Sequence, residues 1–131
     1  MTDMFCFQCQ QTAGNKGCIR TGVCGKQPTT ANLQDKLVYE LISLAETMVE
    51  KDMRTKEADR LFIDGLFTTL TNVNFDNAAI ENMIQKVRAE KERLVPDCSK
   101  CQSPCGKTDE YDMQQLWDAN EDIRSLKSLI L

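Results

Sequence analysis

Residues 6–24 read CFQCQQTAGNKGCIRTGVC and contain four of the seven cysteines of this 131-residue chain. The four cysteines have the spacing C-x2-C-x8-C-x5-C and are Cys6, Cys9, Cys18 and Cys24. Four thiolates from one short segment can complete a tetrahedral sulfur site for an iron–sulfur cluster or for zinc. Four of the six glycines also lie in or just after this segment: Gly14, Gly17, Gly22 and Gly25. Because glycine allows positive φ and a close backbone approach, the segment is typical of a loop that wraps a metal centre.

The surroundings of these cysteines favour an iron–sulfur cluster, with zinc and a disulfide pair as the alternatives. Structural zinc sites usually have two C-x2-C pairs or one pair with two histidines, whereas this segment has one pair and the chain has no histidine. Disulfides are rare in a reducing cytosol, and no secretion signal precedes the loop. Lys16, Arg20 and Lys26 accompany the loop with no carboxylate among them, although the whole chain has a net charge of −4. This positive charge would offset the negative charge of a four-thiolate cluster.

The composition and the N-terminal sequence predict a single globular domain that is located in the cytoplasm. They also predict that it binds neither nucleic acid nor a membrane. Hydrophobic residues make up 41% of the chain and charged residues 27%, which is ordinary for a domain. A net charge of −4 provides no basic surface for nucleic acid or an anionic membrane. No apolar run approaches the ~20 residues that span a bilayer. The first ten residues, MTDMFCFQCQ, lack the basic and apolar regions of a signal peptide.

Hydrophobic periodicity predicts an all-α fold, an up-down three-helix bundle followed by a C-terminal helix. The three bundle helices are expected at about 30–51, 55–70 and 77–94. Since more than half of the circumference of the second helix is apolar, we expect it to be the central and most buried helix. The short connections between the helices make consecutive helices antiparallel.

Local signals at three positions refine this expectation. Pro28 followed by Thr29 or Thr30 is a natural entry to the first helix, with a threonine hydroxyl as the N-cap. Asp76 is predicted to cap the third helix. Gly65 costs the second helix about 1 kcal/mol relative to alanine, so we expect a close packing contact there.

The last part of the chain combines a loop with an amphipathic helix. Residues 96–111 form a predicted loop that contains Cys98, Cys101 and Cys105. Three cysteines are too few for a complete site, so we interpret them as ordinary loop thiols, with a second metal site or a disulfide as alternatives. Residues 112–131 predict a helix that ends within its apolar face, and we therefore expect a truncated chain or a partner, such as a second copy. The whole chain is expected to be one domain: a cluster loop at 1–28, the bundle at 29–95, the cysteine loop and this helix.

Residues 4–26, which read MFCFQCQQTAGNKGCIRTGVCGK, resemble the N-terminus of the hybrid cluster proteins, also called prismane proteins or hydroxylamine reductases. Three later segments resemble the same family in the same order: TANLQDKL at 30–37, LFTTLTNVNFD at 66–76 and NEDIRSLKSLIL at 120–131. The resemblance thus extends over almost the whole chain and is weakest across 96–111.

The resemblance implies that the chain is the N-terminal helical domain of a longer oxidoreductase. In that family the domain holds a cubane cluster through four cysteines, which by position are Cys6, Cys9, Cys18 and Cys24. Their compact spacing resembles the 4Fe–4S variant found in strict anaerobes, whereas a longer spacing accompanies a 2Fe–2S centre. The implied function is electron transfer within a hydroxylamine reductase, which converts hydroxylamine to ammonia, with the reduction of nitric oxide as a second implied activity.

The family's catalytic hybrid cluster lies outside the part of the family that this chain resembles. Its ligands include a histidine, and this chain has none, so the chain alone is not expected to be catalytic. The implied partners are the remaining domains of the enzyme and an electron-donating reductase. Two other functions stay open: a free-standing ferredoxin-like carrier, and a zinc-stapled interaction module without a redox role.

Overall fold

The structure is a computed structural model that describes residues 3–70, 75–95, 119–123 and 126. Its three long helices are α1 (Pro28–Glu50), α2 (Lys56–Thr68) and α3 (Asn77–Leu94), and a short 3-10 turn spans Ala13–Asn15. In the described residues the only β pairing is an isolated antiparallel bridge between Cys6 and Cys18. The predicted all-α class is confirmed, and each of the three predicted bundle helices lies within about two residues of its expected bounds.

The helices α1 and α3 run in the same direction and pack along their length. Three hydrogen bonds of 2.7 Å join them at a nearly constant sequence offset: Thr30 Oγ1 to Asn77 Oδ1, Arg88 Nε to Glu40 Oε1, and Lys91 Nζ to Ser43 Oγ. The helix α2 runs the opposite way, since Thr55 at its start donates to Glu90 near the end of α3 at 2.9 Å. The predicted up-down order of the three helices is therefore confirmed.

The most buried helix is α1, so the prediction that α2 is central is wrong. Ten residues of α1 are buried, whereas α2 buries Ala58, Leu61 and Gly65 and leaves Ile63 70% and Phe67 60% exposed. The apolar circumference of α2 is wider than the surface that its neighbours cover. Because α1 lies in register with α3 and also contacts α2 and the N-terminal loop, neighbours cover more of its surface and it becomes the central helix.

The predicted N-caps are right at one helix and wrong at another. Asp76 accepts hydrogen bonds from the Ala78 and Ala79 amides at 2.9 and 3.3 Å, as predicted. The helix α1 instead begins at Pro28 after Gln27, with no side-chain cap. A proline at the first helical position has no N–H that needs a partner. The hydroxyl of Thr30 is therefore available to bond α3 rather than to cap α1.

Gly65 confirms the predicted close contact within the bundle. A Cβ atom at this position would lie 2.9 Å from Leu41 Cδ1 of α1. The glycine lets α2 approach α1 more closely than any larger residue would allow.

The loop predicted at 96–111, with Cys98, Cys101 and Cys105, lies outside the described residues. Of the helix predicted at 112–131, the structure describes 119–123 and 126, and among these 121–123 and 126 are helical. Ile123 and Leu126 are exposed. No helix in the described part of the chain has the length and apolar character needed to cross a bilayer. The division of the chain into a single domain stays a prediction.

Candidate metal centre

The N-terminal loop folds back on itself and lies against the start of α1. Cys6 and Cys18 exchange two backbone hydrogen bonds of 3.0 and 2.8 Å, which hold the two halves of the loop side by side. Met4 is fully buried and packs with Cys18 and with Ala31 of α1. Asn32 of the same helix donates a hydrogen bond to the Asp3 carbonyl at 3.2 Å. The start of α1 therefore holds the loop against one end of the bundle.

The Cys18 sulfur lies among hydrogen-bonding groups. The Ala13 amide donates a hydrogen bond to it at 3.5 Å, and Thr12 Oγ1 lies 3.7 Å away, a contact in which either atom can be the donor. Burial works to raise the pKa of this thiol, but these hydrogen bonds, together with the charge of Lys26, lower the pKa below its usual value. The loop is therefore built to stabilise a thiolate at Cys18.

Cys6 has a different electrostatic setting. Burial raises the pKa of its thiol above the usual value, and the charges of Cys18 and Asp35 act in the same direction. A backbone hydrogen bond at Gln8 and the positive charge of Lys26 oppose this increase. Cys18 therefore lies close enough to Cys6 for their charges to interact, as two ligands of one centre would.

Lys26 is the one cation of the predicted three that the structure brings to a thiol. Its side chain is 1% exposed, and its Nζ atom lies 2.7 Å from Gln8 Oε1 and 3.7 Å from Cys6 Sγ. Lys16 and Arg20 are exposed instead. The prediction of a positive environment thus holds through a single buried lysine.

Cys9 and Cys24 are half-buried, and each lies in a turn that follows one of the two bridged cysteines along the chain. The Cys9 carbonyl accepts a hydrogen bond from the Thr12 amide at 3.3 Å. Cys24 lies in a turn closed by the Gly22 amide, which bonds to the Lys26 carbonyl at 2.8 Å. A Cβ atom on Gly22 would lie 3.1 Å from Cys24 Sγ, so a larger residue here would press on the thiol.

Gly17 has a second steric role in the loop. Its φ of +110° is in the region that favours glycine, and a Cβ atom would collide with the Phe5 ring. This contact lets the aromatic ring cover the residue next to Cys18. The expectation of positive φ and close approach is thus confirmed within this loop.

The chemistry of the loop fits an iron–sulfur centre. Among the described residues, no three Cys, His, Asp or Glu side chains converge closely enough to hold a metal ion as they stand, and the four N-terminal cysteines are free thiols. The structure brings Cys6 and Cys18 together directly and places Cys9 and Cys24 on adjoining turns. Amide groups directed at sulfur and a buried cation are the features that stabilise thiolate-bound iron–sulfur clusters.

Two residues of this site were not predicted from the sequence. Gln8 holds the Lys26 ammonium group, and Thr12 contacts both the Cys6 carbonyl, at 3.2 Å, and the Cys18 sulfur. Both are uncharged polar residues in the run QCQQT, where neither spacing nor charge separates them from their neighbours.

Comparison with known proteins is consistent with this site. The chain matches the model of the Prismane/CO dehydrogenase family over residues 4–131. A hydroxylamine reductase of Porphyromonas gingivalis is 41% identical over 150 aligned residues, covering 98% of this chain and 27% of the relative. Two further hydroxylamine reductases are similar. That of Petrotoga mobilis is 36% identical, covering 98% of this chain and 29% of the relative. That of Methanocella arvoryzae is 50% identical, covering 70% of this chain and 17% of the relative.

The chain therefore spans less than a third of the length of these relatives. The family match extends over nearly all of the chain and includes all four N-terminal cysteines. This agrees with the resemblance seen in the residues themselves. The chain belongs to the Prismane/CO dehydrogenase family, whose prismane proteins bind iron–sulfur clusters.

Proposed function

We propose that this chain is the electron-transfer domain of a hydroxylamine-reductase-type oxidoreductase and that it holds a 4Fe–4S cluster through Cys6, Cys9, Cys18 and Cys24. The observation that carries the proposal is the setting of the Cys18 sulfur, which accepts a hydrogen bond from the Ala13 amide at 3.5 Å and lies 3.7 Å from Thr12 Oγ1. Such bonds favour a thiolate, which is the form that binds iron.

When bound, a 4Fe–4S cluster supplies a couple that accepts and releases one electron while its thiolate ligands stay in place. The residues of the chain bind and orient it. The Cys6–Cys18 bridge fixes two ligands, and the two turns hold Cys9 and Cys24. Phe5, which covers Gly17, shields one side of the loop from water.

The proposed substrates and partners follow from the relatives, not from any residue of this chain. The similar proteins are named hydroxylamine reductases and are more than three times as long as the part that this chain matches. We propose that electrons pass from a donor reductase through this domain to a catalytic centre elsewhere in the enzyme. There hydroxylamine, or alternatively nitric oxide, would be reduced. A cytoplasmic location is part of the same proposal.

The ligand assignment can be tested with matched cysteine variants. Cys18→Ser and Cys101→Ser make the same chemical change in the two cysteine-containing segments of the sequence. After anaerobic reconstitution with iron and sulfide, we expect Cys18→Ser to lose most of the visible absorption band and bound iron, and Cys101→Ser to keep both. Equal iron content and equal spectra in the two variants would refute the assignment of Cys18 as a ligand.

A further inference from the structure

Lys26 is buried although it carries a positive charge. Its side chain is 1% exposed, and transferring an ammonium group away from water is costly unless other groups compensate. The compensation comes from the Gln8 side-chain oxygen, at 2.7 Å, and the Cys6 sulfur, at 3.7 Å. Within the described residues, no carboxylate forms an ion pair with Lys26. Its charge is therefore directed at the cysteine loop and is not cancelled by a fixed anion in contact with it.

The other two cations of the loop provide a natural comparison. Lys16 and Arg20 are exposed to solvent. Water and salt screen exposed charges strongly, whereas a buried charge acts through a medium of lower effective dielectric constant. The three residues thus contribute equally to net charge but very unequally to the potential at the thiols.

We propose that Lys26 is a fixed positive charge that raises the reduction potential of the centre held by this loop, and that Gln8 positions its ammonium group. This inference rests on the proposed function. In the reduction step the centre gains one electron from an external one-electron donor, which loses it, and no bond is made or broken. The added negative charge is stabilised by a nearby cation, so the reduced state gains more from Lys26 than the oxidised state does.

Gln8 suits this role because it binds the ammonium group without neutralising it. Its amide oxygen accepts a hydrogen bond from Lys26 at 2.7 Å and lies 4.0 Å from Cys6 Sγ. The ammonium group, the amide and the sulfur therefore lie close together. A glutamate at this position would preserve the shape of the contact but add a negative charge beside the lysine. The variant Gln8→Glu therefore changes the net charge beside the cysteines while Lys26 and its packing stay in place.

The experiment is an anaerobic redox titration followed by EPR on the reconstituted full chain. In Lys26→Gln we expect about a tenfold decrease in the equilibrium constant for reduction, which for a one-electron couple is a fall of about 59 mV. The matched control Lys16→Gln removes the same charge from the same loop and should leave the potential nearly unchanged. Equal shifts in the two variants would overturn the inference.

A second variant covers the case in which Lys26→Gln does not assemble a centre. Gln8→Glu keeps the buried lysine and should lower the potential in the same direction by a smaller amount, because residue 8 is exposed and its charge is partly screened. An unchanged potential in Gln8→Glu would overturn the inference.

The same titration separates this inference from the proposed function. A wild-type chain with no one-electron couple would overturn both. A wild-type couple whose potential responds to neither variant would overturn only the role of Lys26 and Gln8.

Discussion

Replacing Arg88 by methionine would break the buried ion pair that ties α3 to α1. Glu40 is 1% exposed and its Oε1 atom accepts a hydrogen bond from Arg88 Nε at 2.7 Å, while the Arg88 side chain is 34% exposed. Among the described residues, the second oxygen of Glu40 has no hydrogen-bond partner. Methionine preserves most of the apolar length of arginine, so the substitution mainly removes the charge that compensates a buried carboxylate.

The expected loss follows from the burial of the two partners. Removing one member of a fully buried ion pair typically costs about 3–5 kcal/mol. Because Arg88 is one-third exposed, water can reach part of the space that it leaves, and we expect a decrease of about 2–3 kcal/mol in the free energy of unfolding. With a urea dependence of about 1–3 kcal/mol per molar for a small domain, the unfolding midpoint should fall by about 0.7–3 M.

Urea unfolding at pH 7, followed by circular dichroism, measures this difference. The matched control is Arg60→Met, since Arg60 pairs with Asp64 at 3.5 Å on the exposed side of α2. Exposed pairs contribute about 0–1 kcal/mol, so this variant should be close to wild type. The double variant Glu40→Met/Arg88→Met should recover much of the loss, because no buried charge remains unpaired. If Arg88→Met and Arg60→Met differ by less than about 0.5 kcal/mol, the reasoning is refuted.

Two further predictions concern the packing of α2 and the acid stability of α3. Gly65→Val should lower the free energy of unfolding by about 1–3 kcal/mol, because its side chain would overlap Leu41, and wild-type stability in urea unfolding would contradict this. The hydrogen bond from Arg93 lowers the pKa of Glu90, and the hydrogen bond from Thr55 acts in the same direction. Burial opposes both effects but does not cancel them. The resulting stability is present above the ordinary carboxyl pKa and is lost as pH falls through the folded-state pKa. Urea midpoints at pH 7 and pH 4 should therefore differ less in Glu90→Gln than in wild type, and equal differences would contradict the assignment.

The helices could be predicted from sequence because their information is local. Apolar residues at helical spacing define all three, and an aspartate before a helical run is a strong N-cap signal, as Asp76 confirms. Which helix lies at the centre of the bundle, by contrast, depends on contacts between residues that are far apart in the sequence. The sequence of α1 contains buried polar residues such as Gln34, Glu40 and Thr47, which periodicity alone assigns to the surface. The burial of Glu40, for example, depends on Arg88 in α3, 48 positions away along the chain.

The candidate site shows the same division between local and non-local information. The cysteine spacing and the glycines lie within one short segment, so the loop and its four candidate ligands could be predicted. The difference between Lys26 and Lys16 could not, since both are lysines beside the same cysteines. Only the folded loop buries one of them against Gln8 and leaves the other in solvent. Charge counting therefore predicted a positive environment but not the residue responsible.

The most direct test of the central claim is the iron and acid-labile sulfide content of anaerobically purified wild-type protein, with an EPR spectrum after dithionite reduction. The account predicts about four irons and four sulfides per chain and a reduced S = 1/2 signal. About two irons would replace the 4Fe–4S assignment with a 2Fe–2S centre. Stoichiometric zinc without iron, in protein produced under iron-replete anaerobic conditions, would contradict the electron-transfer function and favour a zinc-stapled interaction module.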